Sequence, residues 1–320
     1  MDGEISGREG GARKKDGGAS RVDRSFRITT GVYGLNSILG GGLYVNSTTV
    51  VIGASGAGKT TLATQFLRRG LEQGEDGIFI TLDEPPARLL REAVAMGWTD
   101  AEDYLRDGSF VFVDAGGKQF TDFIRHELAD FVAEWEGHRA RIVIDPLTPV
   151  LWSVPTKYEQ REIVSFLLRE TRKIGTVLCT LEEHGRGDLS TPEIAIPMYL
   201  ADNVIHLRYS SVENPERREL KIVKTRMSPH SRYSHPYSII QGVGVVVHKV
   251  GEETLEGERV DVEKIFRDML SEVPKEVLSG LSPAEKKNIK RTVRYLSRRT
   301  WVEEDPVEIL ELLFEEYNLL

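Results

Sequence analysis

The sequence predicts an α/β fold with a mostly parallel central sheet flanked by helices, C-terminal antiparallel strands and a small helical C-terminal extension. Three observations carry this. Short β-branched apolar runs alternate with amphipathic stretches through the middle of the chain, the mark of crossover units. Runs such as Thr48–Ile52 and Arg141–Ile144 are almost continuously apolar, as strands covered on both faces are. After Asn203 the helical stretches stop, and they resume only beyond Gly251.

Taken in order, Met1 to Ser25 is rich in Gly, Lys, Arg and Asp and nearly free of apolar residues. Such a stretch cannot bury enough surface to offset its ordering entropy, so a flexible basic tail is expected. From Phe26 to Val250 strands are expected at Thr48–Ile52, Gly77–Leu82, Ser109–Val113, Arg141–Ile144, Thr176–Leu181 and Asn203–Leu207. Helical spacing separates the first five, over Lys59–Gln73, Ala87–Gly97, Gln119–Trp135 and Tyr158–Lys173. Leu220–Lys224, Tyr237–Gln241 and Val243–His248 read as short antiparallel strands, with Gly242 and Gly244 in a tight turn. From 251 to 320 helices are expected over Val260–Ser271, Ala284–Ser297 and Pro306–Tyr317. This extension reads as a packing or oligomerisation appendage, or as the docking point of an unknown protein partner. Lys286, Lys287, Lys290, Arg291 and Arg294 fall on one of its helices, where a solvated face is expected.

Composition narrows the function classes. With 40% hydrophobic and 29% charged residues the 320-residue chain is globular. A balance of 42 basic against 50 acidic residues, net −8, disfavours a whole-surface nucleic-acid binder. No apolar run approaches the ~18 residues of a membrane span and no signal peptide opens the chain, so a cytoplasmic protein is expected. The lone Cys179 agrees with a reducing compartment and lies in an apolar strand, where a buried inert thiol is expected. Trp98, Trp135 and Trp152 read as core.

Chemistry concentrates at three strand tips. Gly53-Ala-Ser-Gly-Ala-Gly-Lys-Thr60 fits G-x-x-x-x-G-K-S/T between a buried strand and a helix start. Its glycines let backbone N–H groups turn inward on phosphate oxygens, and the helix N-terminus adds positive potential. Gly53, Ala54, Ser55, Gly56, Ala57 and Gly58 would form the cradle, and Lys59 would reach the β- and γ-phosphates. The Thr60 hydroxyl would ligate Mg²⁺ and Thr61 would sit beside the α-phosphate. Asp145 ends the buried run Arg141–Ile144, which puts a carboxylate at the same sheet edge as a second group for Mg²⁺. Asp83 and Glu84 follow a third strand, where a carboxylate can orient and deprotonate an attacking water.

The segment Arg27-Ile-Thr-Thr-Gly-Val-Tyr-Gly-Leu-Asn-Ser-Ile-Leu-Gly-Gly-Gly-Leu43, the cradle, and Phe79-Ile-Thr-Leu-Asp-Glu84 together resemble the KaiC-like branch of the RecA-superfamily P-loop ATPases. Glu219-Leu-Lys-Ile-Val-Lys224-Thr-Arg226 and His235-Pro236-Tyr237 resemble that family's closing strands. The resemblance implies a RecA-like core over 26–250 and a homo-oligomeric ring, a hexamer by expectation, with ATP held between neighbours. It implies catalytic roles for Asp83 and Glu84. It implies that Lys224 and Arg226, and more weakly His230, reach a neighbour's nucleotide, as an arginine finger does. The chain departs from the clock protein in having one such domain, and in carrying Asp83 where the clock protein has Glu, so slow hydrolysis is expected. Met198 and Tyr199 stand where that protein's autophosphorylating half has a Ser-Thr pair, so autokinase chemistry is not expected there. Two other readings stay open: a RecA/RadA-like DNA recombination factor, and an ATP-dependent scaffold with negligible hydrolysis. Arg186 and Arg208 would serve the first, but Glu182, Glu183, Asp188 and Glu193 nearby make a poor phosphate groove.

Overall fold

The computed structural model describes residues 26–115, 119–184, 188–210, 217–226, 228–248, 261–298 and 305–320. The N-terminal tail and Arg186 lie outside the described residues. A small antiparallel ribbon pairs β1 (Arg27–Ile28) with β2 (Leu43–Tyr44) around the short helix α1 (Leu35–Ile38). Then come β3 (Thr48–Gly53), α2 (Lys59–Glu72), β4 (Asp76–Thr81), α3 (Pro86–Ala95), α4 (Ala101–Asp107) and β5 (Phe110–Asp114). The next stretch is α5 (Gln119–Asp122), a π-helical turn (Phe123–Glu127) and α6 (Leu128–Glu134). It leads to β6 (Ala140–Asp145), α7 (Thr148–Trp152), α8 (Lys157–Thr171) and β7 (Gly175–Glu182). After α9 (Pro192–Leu200) follow β8 (Asn203–Ser210), β9 (Arg217–Thr225), β10 (Ser234–Ile240) and β11 (Gly244–Val247). The extension holds α10 (Val262–Glu272), α11 (Lys275–Gly280), α12 (Pro283–Leu296) and α13 (Pro306–Glu316).

Nine strands form one sheet in the order β11-β10-β9-β8-β3-β7-β6-β4-β5. The six strands from β8 to β5 in that order run parallel, and β9, β10 and β11 run antiparallel. Side chains alternate between the two faces. Ile80, Ile142 and Ile144 pack under α5–α9, while Phe79 and Val143 pack under α2 with Phe66 and Leu67. Both faces of these strands are covered, which is why they read as unbroken apolar runs. Helix α8 starts on a capping box, with the Thr156 side chain accepting from the Glu159 N–H and Glu159 answering on the Thr156 N–H.

The extension is not a separate lobe. Ile289, Leu296, Leu310, Leu313 and Phe314 share one apolar cluster with Tyr33, Ile240, Val243 and Val246 of the sheet domain. Beneath that cluster Arg68, Arg69 and Glu72 of α2 are buried against Glu285, Asn288, Glu316 and Tyr317. The basic face expected on α12 is only partly solvated, because Arg291 turns inward to Asp100 at 3.3 Å. One expectation is corrected outright: Trp152 is 56% exposed and stacks on His184 rather than filling the core. It ends a five-residue helix whose buried face is already occupied by Val150 and Leu151. Trp98 is core as expected, and Trp135 is half-buried.

Candidate active site

Strand β3 delivers Gly53 to the carboxyl edge of the sheet, between the tips of β7 and β8. The loop then turns at Gly56 (φ +77°) and Gly58 (φ +91°) before α2 begins at Lys59. These left-handed values favour glycine. At Gly58 the restriction is doubled, because a Cβ there would lie 2.6 Å from the Ile239 Cδ1. The Lys59 ammonium curls back onto its own loop, donating to the carbonyl oxygens of Gly53 at 2.9 Å and Ala54 at 3.0 Å. Burial lowers the Lys59 pKa, and the carboxylates of Asp145, Glu182 and Glu183 pull it back up. An ammonium held by two neutral carbonyls and faced by acids gains by moving onto an anionic phosphate.

Asp145 at the tip of β6 is buried and accepts hydrogen bonds from the hydroxyls of Thr180 and Thr60. Burial pushes its carboxyl up, and those hydroxyls and Lys59 draw it down. The two groups expected to hold Mg²⁺ therefore meet, and a buried carboxylate beside a threonine hydroxyl is the oxygen donor set that a hard cation takes. Asp83 follows β4 on the same edge. Burial raises its carboxyl, and the charges of Glu182, Asp145 and Glu84 raise it further. Asp83 is itself exposed, and Glu84 differs in its partner: its carboxylate pairs with Arg88 at 3.0 Å.

Sequence reasoning missed several residues here. Glu183 donates its N–H to the Gly53 carbonyl at 3.1 Å, and its carboxylate meets His206 at 2.8 Å, both side chains buried. Glu182 stands beside Gly53 in the ladder. The signal was Glu182-Glu183, a pair of carboxylates closing an apolar strand, as Asp145 closes its own. Tyr209, Tyr237 and Ile239 wall the loop from the other side.

Lys224, Arg226 and His230 do not join this cluster. Thr225 sits opposite Asn203, which sits beside Thr49 at the start of β3. Gly53 is four residues further along, about 13 Å at the rise of a strand, so the two groups occupy opposite edges of the sheet. Lys224 donates to the carbonyls of Met198 at 2.9 Å, Tyr199 at 3.3 Å and Ala201 at 2.6 Å, closing the end of α9. Arg226 donates to Tyr199 at 3.0 Å, with Asp202 at 3.9 Å, and His230 meets the Thr225 hydroxyl at 2.9 Å. Burial and the neighbouring Arg226 lower the Lys224 pKa. Arg208 pairs with Glu219 at 2.8 Å.

A family model for the KaiC ATPase matches residues 28–252. The chain belongs to the KaiC ATPase family. It is 28% identical over 251 residues to the circadian clock protein KaiC3 of Synechocystis, covering 75% of this chain and 49% of that one. It is 30% identical over 263 residues to a UPF0273 protein of Methanopyrus kandleri, covering 75% and 94%. The crystal structure of a KaiC-like protein from Pyrococcus horikoshii superposes with a TM-score of 0.58 at 28% identity, covering 70% of this chain and 99% of that one. The chain spans about half the length of the clock proteins that it matches. This KaiC family member thus has the RecA-type core of an ATP-binding P-loop ATPase. Its opening motif is a hydrogen-bonded unit: Asn36 Oδ1 accepts from the Thr30 N–H at 2.9 Å, and Asn36 Nδ2 donates to Glu316 at 2.5 Å. The extension beyond residue 252, outside the matched region, therefore completes a motif inside it.

Proposed function

We propose that the protein is a Mg²⁺-dependent ATPase that hydrolyses ATP slowly within a homo-oligomeric ring, for which six copies is the expected number. The observation that carries this is the convergence of Lys59, Thr60, Asp145 and Asp83 on one sheet edge around the Gly53–Thr61 loop. ATP lies with its phosphates in the loop, and Lys59 leaves the Gly53 and Ala54 carbonyls for the β- and γ-oxygens. Thr60 and Asp145 hold Mg²⁺, which supplies neutralisation of phosphate charge. Asp83 orients a water and accepts its proton as the water oxygen bonds to the γ-phosphorus and the bond to the ADP oxygen breaks. Asp83 is preferred to Glu84 because Arg88 already engages the Glu84 carboxylate. The short Asp83 side chain keeps the step slow. Lys224, Arg226 and His230, too distant to serve their own loop, act on a neighbour's nucleotide and tie turnover to assembly.

The test is phosphate release measured in parallel with light scattering, with and without ATP, for the wild type and Lys59→Ala. ATP-dependent assembly with turnover that Lys59→Ala abolishes supports the reading. Turnover that survives Lys59→Ala refutes it. Tight binding without phosphate release leaves only a scaffold, and stimulation by added single-stranded DNA points to a recombination factor.

A further inference from the structure

Strand β10 carries no residue of the catalytic assignment, yet it touches the phosphate loop at its tightest point. Tyr237 is 4% exposed, and its hydroxyl donates to the Ala57 carbonyl oxygen at 2.7 Å. In a trans peptide the C=O and the following N–H point in opposite directions. Drawing the Ala57 oxygen toward β10 therefore turns the Gly58 N–H the other way, into the loop. A carbonyl that accepts a hydrogen bond also polarises its peptide, which makes that N–H a stronger donor. Burial pushes the Tyr237 phenol up, so it stays a donor across the physiological range.

The surroundings fit this role. Ile239, two residues along on the same face of β10, fills the space beside Gly58 and would meet a Cβ there at 2.6 Å. Tyr209 of β8 flanks Gly56, its hydroxyl 3.4 Å from where a Cβ would stand. Ala57 itself is fully buried and closes a turn from its N–H to the Ala54 carbonyl at 3.2 Å. The loop is thus pressed between α2 and the β8–β10 wall, and Tyr237 supplies a side-chain hydrogen bond from that wall to the loop's tightest turn.

We infer that Tyr237 is a positioning residue of the phosphate site: its hydroxyl holds the Ala57–Gly58 peptide with the N–H aimed at the phosphate. This rests on the reading of Gly53–Thr61 as a phosphate cradle. Tyr237→Phe keeps the ring and removes only the donor. ATP and inorganic pyrophosphate are titrated calorimetrically into wild type, Tyr237→Phe and Lys59→Ala, alongside ligand-free melting and steady-state kinetics. Tyr237→Phe is expected to bind both ligands about tenfold more weakly, with KM rising by a similar factor and kcat changing less than about threefold. Its ligand-free melting temperature should stay within a few degrees of wild type. Unchanged affinity for both ligands, whether or not melting falls, overturns the inference, because a purely structural bond would move only stability. Should Tyr237→Phe not fold, Tyr237→Met, which fills the slot without a donor, is judged by the same criteria. A wild type that binds ATP no better than Lys59→Ala would overturn the cradle reading itself, and this inference with it.

Discussion

Asp83 and Glu84 are adjacent in sequence and carry the same charge, yet the structure separates their circumstances. Asp83, though exposed, feels the charges of Glu182 and Asp145 and has its carboxyl raised, whereas Glu84 spends its charge on Arg88. Asp83→Asn is therefore expected to lower turnover about a hundredfold, and Glu84→Gln less than about tenfold, read as phosphate release at saturating ATP. A larger loss in Glu84→Gln would reverse the assignment. The pH profile offers an independent check. The proposed step needs the ionised form, and a raised carboxyl loses that form at a higher pH than an ordinary aspartate. The acid limb of turnover should thus fall off above the usual range near ~3.9, with activity recovering as pH rises through the limb. A limb at or below that range would show that Asp83 is not the titrating base.

Helix α2 joins the cradle to the extension, and here the sequence misleads. Its apolar stripe of Leu62, Ala63, Phe66, Leu67 and Leu71 marks the helix, but nothing in that spacing shows that Arg68, Arg69 and Glu72 are buried as well. Their partners lie more than 200 residues away at Glu285, Asn288 and Tyr317, and no local spacing reveals such pairs. Arg141 is a parallel case, a fully buried guanidinium in an apolar strand, held by Glu75 at 2.9 Å and by the carbonyls of Thr29 and Phe66. The strand tips were legible because their chemistry is local: a turn motif or a carboxylate closes an apolar run. Helix α9 is harder to see in the sequence, because Pro192 and Pro197 look like breaks, though Pro192 simply occupies its first turn. The buried network also titrates. Glu316 accepts from the Gly31 N–H at 2.8 Å and from Asn36, and burial pushes its carboxyl up from 4.5 to about 7 against the pull of Arg69. A raised carboxyl means that the folded state binds the extra proton. Its contribution is thus fully present below the unfolded value of 4.5 and is lost as pH rises through about 7. The loss amounts to about 3 kcal/mol. Melting should fall by about 5 °C between pH 5 and pH 7.5, and Glu316→Gln should flatten that slope. An equally steep slope in Glu316→Gln would place the titration elsewhere, with Glu72, also raised by burial, the next to test.

At the scale of the whole molecule the sheet acts as a spacer. Its carboxyl edge carries the phosphate loop and its amino edge carries Lys224, Arg226 and His230, so under the proposed function a single copy would hold two halves of a site that it cannot bring together. The geometry suits a head-to-tail contact, in which each copy offers its amino-edge cations to the next copy's cradle, and repetition of that contact closes a ring or runs on as a filament. In a single chain Lys224 and Arg226 are parked on the last carbonyls of α9, where the helix end attracts positive charge, while His230 meets the Thr225 hydroxyl. Docking against a nucleotide-loaded neighbour would exchange those carbonyls for phosphate oxygens. This arrangement makes complementation the decisive measurement. Arg226→Ala retains an intact cradle but cannot serve its neighbour, while Lys59→Ala retains the cation but has no working cradle. Each variant alone should be inactive. Mixed in equal amounts and allowed to co-assemble, they should recover roughly a quarter of wild-type turnover, since about one contact in four then pairs an intact cradle with an intact cation. Recovery should vanish when the two are mixed below the concentration at which scattering shows assembly. Full activity in Arg226→Ala alone, or no recovery in an assembled mixture, would mean that each copy completes its own site and that the amino-edge cations serve only to close α9.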